Sequence, residues 1–68
     1  MPLIQITMGA GRSAGQKRDL LAAITRATQE STGTPLAAIR VWIVEVPADE
    51  LMIAGETLDE RRNSGNQH

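Results

Sequence analysis

Three residues of this 68-residue chain have the chemistry to move a proton on an anionic ligand: Pro2, Arg12 and Arg40. Pro2 stands directly behind Met1 and ahead of the apolar run Leu3-Ile4-Gln5-Ile6-Thr7-Met8. A small second residue lets the cell remove the initiator methionine, and Pro2 would then be the mature N-terminus. Inside a chain proline has no N–H and no titratable group; at a terminus it is a secondary amine. An ordinary α-amino group titrates at about 7.7–8.0, and a proline amine is somewhat more basic. Nearby cations or burial would draw that value toward neutrality, where a general base works best. Proline is also a common second residue, so the position acquires meaning only from what surrounds it.

Arg40 lies inside an apolar strand pattern, where an unpaired cation is costly. An ion pair with Glu45 or with a neighbouring subunit would satisfy it structurally. Alternatively its fork would grip a ligand carboxylate through two parallel hydrogen bonds. Arg12 follows the turn Gly9-Ala10-Gly11, and a solvated loop charge is the commoner fate of such a residue. Pro2 and Arg12 lie at opposite ends of the first strand. At about 3.3 Å per residue one small ligand cannot span them within a subunit. They could meet only across a subunit boundary, for example between antiparallel neighbours.

The elements that must position these residues read as strand, helix, strand. Leu3 to Met8 alternates, with Ile4, Ile6 and Met8 on one face and Leu3, Gln5 and Thr7 on the other. Ser13 with Gln16 forms a capping-box pattern, opening a helix predicted over Ser13 to Thr32. Leu20, Leu21, Ile24 and Ala27 form its apolar stripe. Gly33 is its C-terminal cap and Pro35 prevents continuation. Ile39 to Val46 is a second strand, largely apolar on both faces, as in a sheet covered on both sides. A strand–helix–strand order gives a parallel pair with a right-handed crossover. Asp49 to Glu56 reads as a loop or short hairpin turning at Gly55. Thr57 to Glu60 repeats the capping box, giving a helical turn through Arg62. The folded domain is expected over 2–62, with a polar, frayed tail over 63–68.

Composition narrows the function classes. With no cysteine and a single histidine, His68, neither a disulfide nor a His/Cys metal site is expected. Net charge is −1 and Trp42 is the one aromatic residue, so nucleic-acid binding lacks both basic stripe and stacking rings. No apolar stretch is long enough to span a bilayer and no signal-peptide pattern opens the chain, so a cytoplasmic protein is expected. So small a domain needs a staple. Its 41% hydrophobic content points to burial between subunits. Two βαβ units pairing edge to edge would give four strands under two helices. The uncovered sheet face would then drive a higher assembly. Gly9-Ala10-Gly11-Arg12-Ser13-Ala14 also matches a loose dinucleotide fingerprint. A single βαβ unit is half of such a site, and Glu30 falls on the helix and not at a strand end, so the glycines read as a tight turn.

Pro2, Gly11-Arg12-Ser13, Gln16-Lys17, Pro35-Leu36 with Ile39-Arg40-Val41, and Ile53-Ala54-Gly55-Glu56 together resemble the 4-oxalocrotonate tautomerase family. The resemblance runs from Pro2 to about Arg62. It implies an α/β fold with one β-α-β unit per chain, a four-stranded sheet per dimer, and a hexamer built as a trimer of dimers. It implies a cofactor-independent isomerase acting on small unsaturated 2-oxo carboxylates such as 2-hydroxymuconate, as in aromatic hydrocarbon catabolism. Pro2 matches the general base and acid. Arg40 matches the arginine, from another subunit, that binds the near carboxylate and polarises the 2-oxo oxygen. Arg12 matches the arginine that binds the distal carboxylate.

Two positions depart from the family pattern. Leu51 replaces an aromatic pocket residue, keeping an apolar wall without the ring. Gly9 keeps the backbone N–H that faces the substrate oxygen but lacks the bulky side chain. Related hydratases and dehalogenases of 3-haloacrylates use a second arginine and a glutamate; the matching positions here are Gly9 and Ile53. That activity therefore ranks below tautomerisation. A partner-dependent subunit of a heterohexamer is the competing expectation.

Overall fold

The computed structural model describes residues 1–64. The chain forms β1 (Leu3–Gly9), α1 (Ala14–Thr32), β2 (Arg40–Val46), the short strands β3 (Met52–Ile53) and β4 (Glu56–Thr57), and α2 (Leu58–Asn63), with single 3-10 turns at Leu36–Ala38 and Ala48–Glu50. This is the β-α-β order expected from the sequence. β1 and β2 pair in parallel, from Leu3 opposite Arg40 to Gly9 opposite Val46. No described helix is long and apolar enough to cross a membrane.

Local chemistry explains the helix boundaries. Ser13 is the N-cap: its hydroxyl accepts from the Gln16 amide at 3.1 Å, and the Gln16 side-chain oxygen accepts from the Ser13 amide at 3.0 Å. Two otherwise orphaned backbone donors are thereby satisfied. Gly33 ends the helix in the left-handed region, φ 73°, and donates its N–H to the Gln29 carbonyl at 2.8 Å. Thr25, Thr28 and Thr32 return their hydroxyls to the carbonyls one turn back, so these residues add no unsatisfied group to the helix.

The second strand starts one residue later than the sequence pattern suggests. Ile39 instead closes the 3-10 turn, donating its N–H to the Leu36 carbonyl at 3.1 Å. The segment after β2 resolves into a hairpin, Met52 opposite Thr57 and Ile53 opposite Glu56. Its two turn residues, Ala54 and Gly55, both have positive φ, 53° and 85°, the pattern of a type I′ turn. Gly55 adopts this freely, whereas Ala54 carries a strain of about 1–2 kcal/mol. A second capping box, Thr57 with Glu60, opens α2. That helix runs through Asn63, one residue past the expected end. The rest of the expected tail, 65–68, lies outside the described residues.

α1 covers one sheet face, where Ile4, Ile6, Met8, Val41 and Ile43 are half-buried. Among the described residues Ile39, 8% exposed, is the one hydrophobic side chain that becomes buried. On the opposite face Leu3 remains 64% exposed and Trp42 and Val44 40% each. The chain is also elongated, 44 × 20 × 17 Å, with a radius of gyration of 15.2 Å where a compact domain of this length has about 11 Å.

Candidate active site

The sheet places the candidate residues at two separate ends. At the first end the Arg40 amide donates to the Pro2 carbonyl at 3.1 Å, so the parallel register itself sets the two residues side by side. Their side chains diverge. Arg40 shares the open sheet face with Leu3 and Trp42, while the alternation of β1 turns Pro2 toward the helix side. The Arg40 guanidinium donates to the Ala37 carbonyl at 2.6 Å, which aligns it and leaves further N–H groups for an anion. The structural pairing with Glu45 considered from sequence does not form. Positions 40 and 45 fall on opposite faces of one strand, and Glu45 instead pairs with Lys17 of α1 at 3.2 Å. Met1 precedes Pro2 here and is 77% exposed, open to an aminopeptidase.

The phase of the ladder decides which backbone groups are left over. Arg40 N–H to Pro2 C=O and Ala10 N–H to Val46 C=O, at 2.9 Å, flank the pairing. In a parallel pair both backbone groups of a residue point to the same side. Leu3, Gln5, Thr7 and Gly9 therefore present N–H and C=O to the free edge of β1. The Gly9 N–H, singled out from the sequence, is on that edge.

The second end lies where β1 runs into Gly9-Ala10-Gly11, six residue steps or about 20 Å from Leu3. Here Leu51, from the turn before β3, and Leu58, from α2, lie over Gly9. A Cβ added at Gly9 would come within 2.6 Å of Leu58 Cδ2 and 3.4 Å of Leu51 Cδ2. The Leu58 amide donates to the Leu51 carbonyl at 2.8 Å. Arg62 reaches back to the same turn and donates to the Ala10 carbonyl at 2.6 Å. Gly11, φ 136°, leaves room for it: a Cβ there would meet the Arg62 guanidinium at 2.8 Å. The glycines thus serve a tight turn crossed by a side chain. Arg12 is exposed and lines a recess of about 240 Å³ with Met8, Gln16, Lys17 and Leu20.

Gly9, Leu51 and Arg12 therefore gather at one end, and Pro2 and Arg40 at the other. Leu58 and Arg62 were not singled out from the sequence. Leu58 is the one apolar residue of α2, and that isolation was the available signal.

A family model described as tautomerase enzyme matches residues 2–61. The 2-hydroxymuconate tautomerase of Pseudomonas putida is 43% identical over 60 residues, covering 88% of this chain and 95% of that protein. The 2-hydroxymuconate tautomerase of Comamonas testosteroni is 45% identical over 60 residues, with the same coverage. Among solved structures, a 4-oxalocrotonate tautomerase homologue of the tomaymycin biosynthetic pathway superposes with a TM-score of 0.83 at 39% identity, over 91% of this chain and 95% of that one. A heterohexameric 4-oxalocrotonate tautomerase from Chloroflexus aurantiacus superposes with a TM-score of 0.81 at 38% identity, over 88% and 97% of the two chains.

Proposed function

This chain belongs to the tautomerase family, and we propose that it is a cofactor-independent isomerase of small enols bearing one or two carboxylates, with 2-hydroxymuconate as the model substrate. After removal of Met1, the neutral Pro2 amine takes the proton of the dienol hydroxyl. It returns that proton to a carbon of the conjugated chain, leaving the 2-oxo product and a neutral amine. Arg40 binds the near carboxylate and the 2-oxo oxygen, where negative charge develops as the hydroxyl proton leaves. Arg12 holds the distal carboxylate, and the Gly9 N–H adds a backbone donor. The observation that carries this reading is the 43% identity to a 2-hydroxymuconate tautomerase across 60 residues, in a chain that keeps Pro2, Arg12 and Arg40.

The two ends of the strand can serve one ligand if they come from different chains. An antiparallel neighbour along the free β1 edge would set the Gly9 end of one chain beside the Pro2 end of the other. The exposed face with Leu3, Trp42 and Val44 calls for covering by further copies, in keeping with a hexamer of three such dimers.

The test is the intact mass of the purified protein, followed on the same sample by ultraviolet-monitored ketonisation of 2-hydroxymuconate. Loss of one methionine with turnover is the expected result. Loss of methionine in a stable homo-oligomer without turnover of 2-hydroxymuconate or a monocarboxylate enol would overturn the reading. The likeness to the Chloroflexus heterohexamer favours one second reading, a partner-dependent subunit. In that case the purified chain would assemble and turn over only with a second chain type.

A further inference from the structure

We propose that Leu58 is a specificity-determining residue, supplying from α2 the bulk that Gly9 leaves out of β1 and closing the far end of the ligand pocket with Leu51. This inference rests on the proposed enol tautomerase activity.

The position beside Gly9 is filled, not vacant. Leu58 Cδ2 lies 2.6 Å from where a Cβ on residue 9 would stand, closer than real Cβ atoms come to a neighbour. Residue 9 and residue 58 therefore compete for one space, and a side chain at 9 would displace the Leu58 Cδ2 methyl. The leucine is held there from two sides. The Thr57–Glu60 capping box fixes the first turn of α2, and the Leu58 amide is bonded to the Leu51 carbonyl. Four residues on, one turn further along α2, Arg62 ties the helix to the Ala10 carbonyl. The resulting wall is aliphatic and branched, and it covers Gly9, three positions before Arg12 in the chain. A slim, extended dicarboxylate would pass beside such a wall. A substrate ending in an aromatic ring meets the Leu58 methyl groups. An alanine at 58 would open that space. A leucine at 9 would refill it from the strand.

The experiment measures kcat/KM on 2-hydroxymuconate and on phenylenolpyruvate for the wild type, Leu58→Ala, Gly9→Leu and the double variant, together with their melting temperatures. Leu58→Ala should shift the ratio toward the aryl enol by about tenfold, the scale on which a few methylene groups discriminate in an apolar pocket. Gly9→Leu alone should lower both activities and the melting temperature. The double variant should restore stability and the preference for the dicarboxylate. Equal losses on both substrates in Leu58→Ala, with the ratio unchanged, would reduce Leu58 to a structural residue and overturn the proposal. Should the wild type turn over neither enol, the tautomerase reading fails. The exchange of bulk is then judged by melting temperature alone: rescue of Gly9→Leu by Leu58→Ala upholds it, and additive losses overturn it.

Discussion

The Pro2 end and the Gly9 end of the β1–β2 pair are built by different means. At the Pro2 end the placement comes from strand register: one backbone hydrogen bond, Arg40 N–H to Pro2 C=O, aligns the two residues. Arg40 is exposed and Pro2 half-buried, and the neighbouring Leu3 side chain stays 64% exposed. At the Gly9 end the placement is long-range. Leu51, Leu58 and Arg62 arrive from the C-terminal segment, and Arg62 bonds a carbonyl 52 residues away. One end is sterically open, with Pro2 and Arg40 on opposite faces of the sheet; the other is closed over Gly9, with Arg12, Lys17 and Arg62 around the turn. On the proposed reading, neither end is a complete site, and one pocket would combine the two from different chains.

Substitutions can sharpen that contrast. Pro2→Ala has the largest expected effect on turnover, since it replaces the secondary amine but leaves a free terminus and an unchanged sheet. Loss of a positioned general base costs about 10²–10⁴-fold, read as kcat with circular dichroism unchanged. Arg40→Ala comes next, at about 10²–10³-fold in kcat, the usual cost of a donor to a developing oxyanion. Arg12→Ala should act mainly on KM, by roughly ten- to a hundred-fold, because a charged hydrogen bond to a bound carboxylate contributes about 1.5–3 kcal/mol. Equal kcat effects from the two arginines would erase the distinction between the ends. Ser13→Ala is the smallest and purely structural: it should cost about 1 kcal/mol of stability, measured by denaturant unfolding, without changing the ratio of activities on different enols.

Much of this architecture was legible in the sequence because its signals are local. Ser13 with Gln16, Thr57 with Glu60, and Gly33 before Pro35 mark boundaries that the backbone adopts for reasons contained within a few residues. The alternation of β1 likewise separated the helix-facing residues from the open face. That same period of two argues against an Arg40–Glu45 pair, since an odd separation along a strand puts side chains on opposite faces; Glu45 meets Lys17 instead. The Gly9 end was less legible. The absence of a side chain at Gly9 could be read, but the leucine that fills its place is 49 positions along the chain and meets it only through the return of α2. Gly11 also looked like a turn residue alone, and its second role, making room for Arg62, requires the tertiary contact.

The central claim is that the active pocket joins the Pro2 end of one chain to the Arg12 end of another. It is tested most directly by complementation. Pro2→Ala and Arg12→Ala proteins, each weakly active alone, are unfolded together, refolded as mixed oligomers, and assayed for ketonisation of 2-hydroxymuconate at a substrate concentration below KM. Mixed oligomers will contain some pockets with an intact Pro2 from one chain and an intact Arg12 from the other. The account predicts activity well above the sum of the two separately refolded variants. A mixture that forms hetero-oligomers by mass yet shows no more than that sum would contradict it.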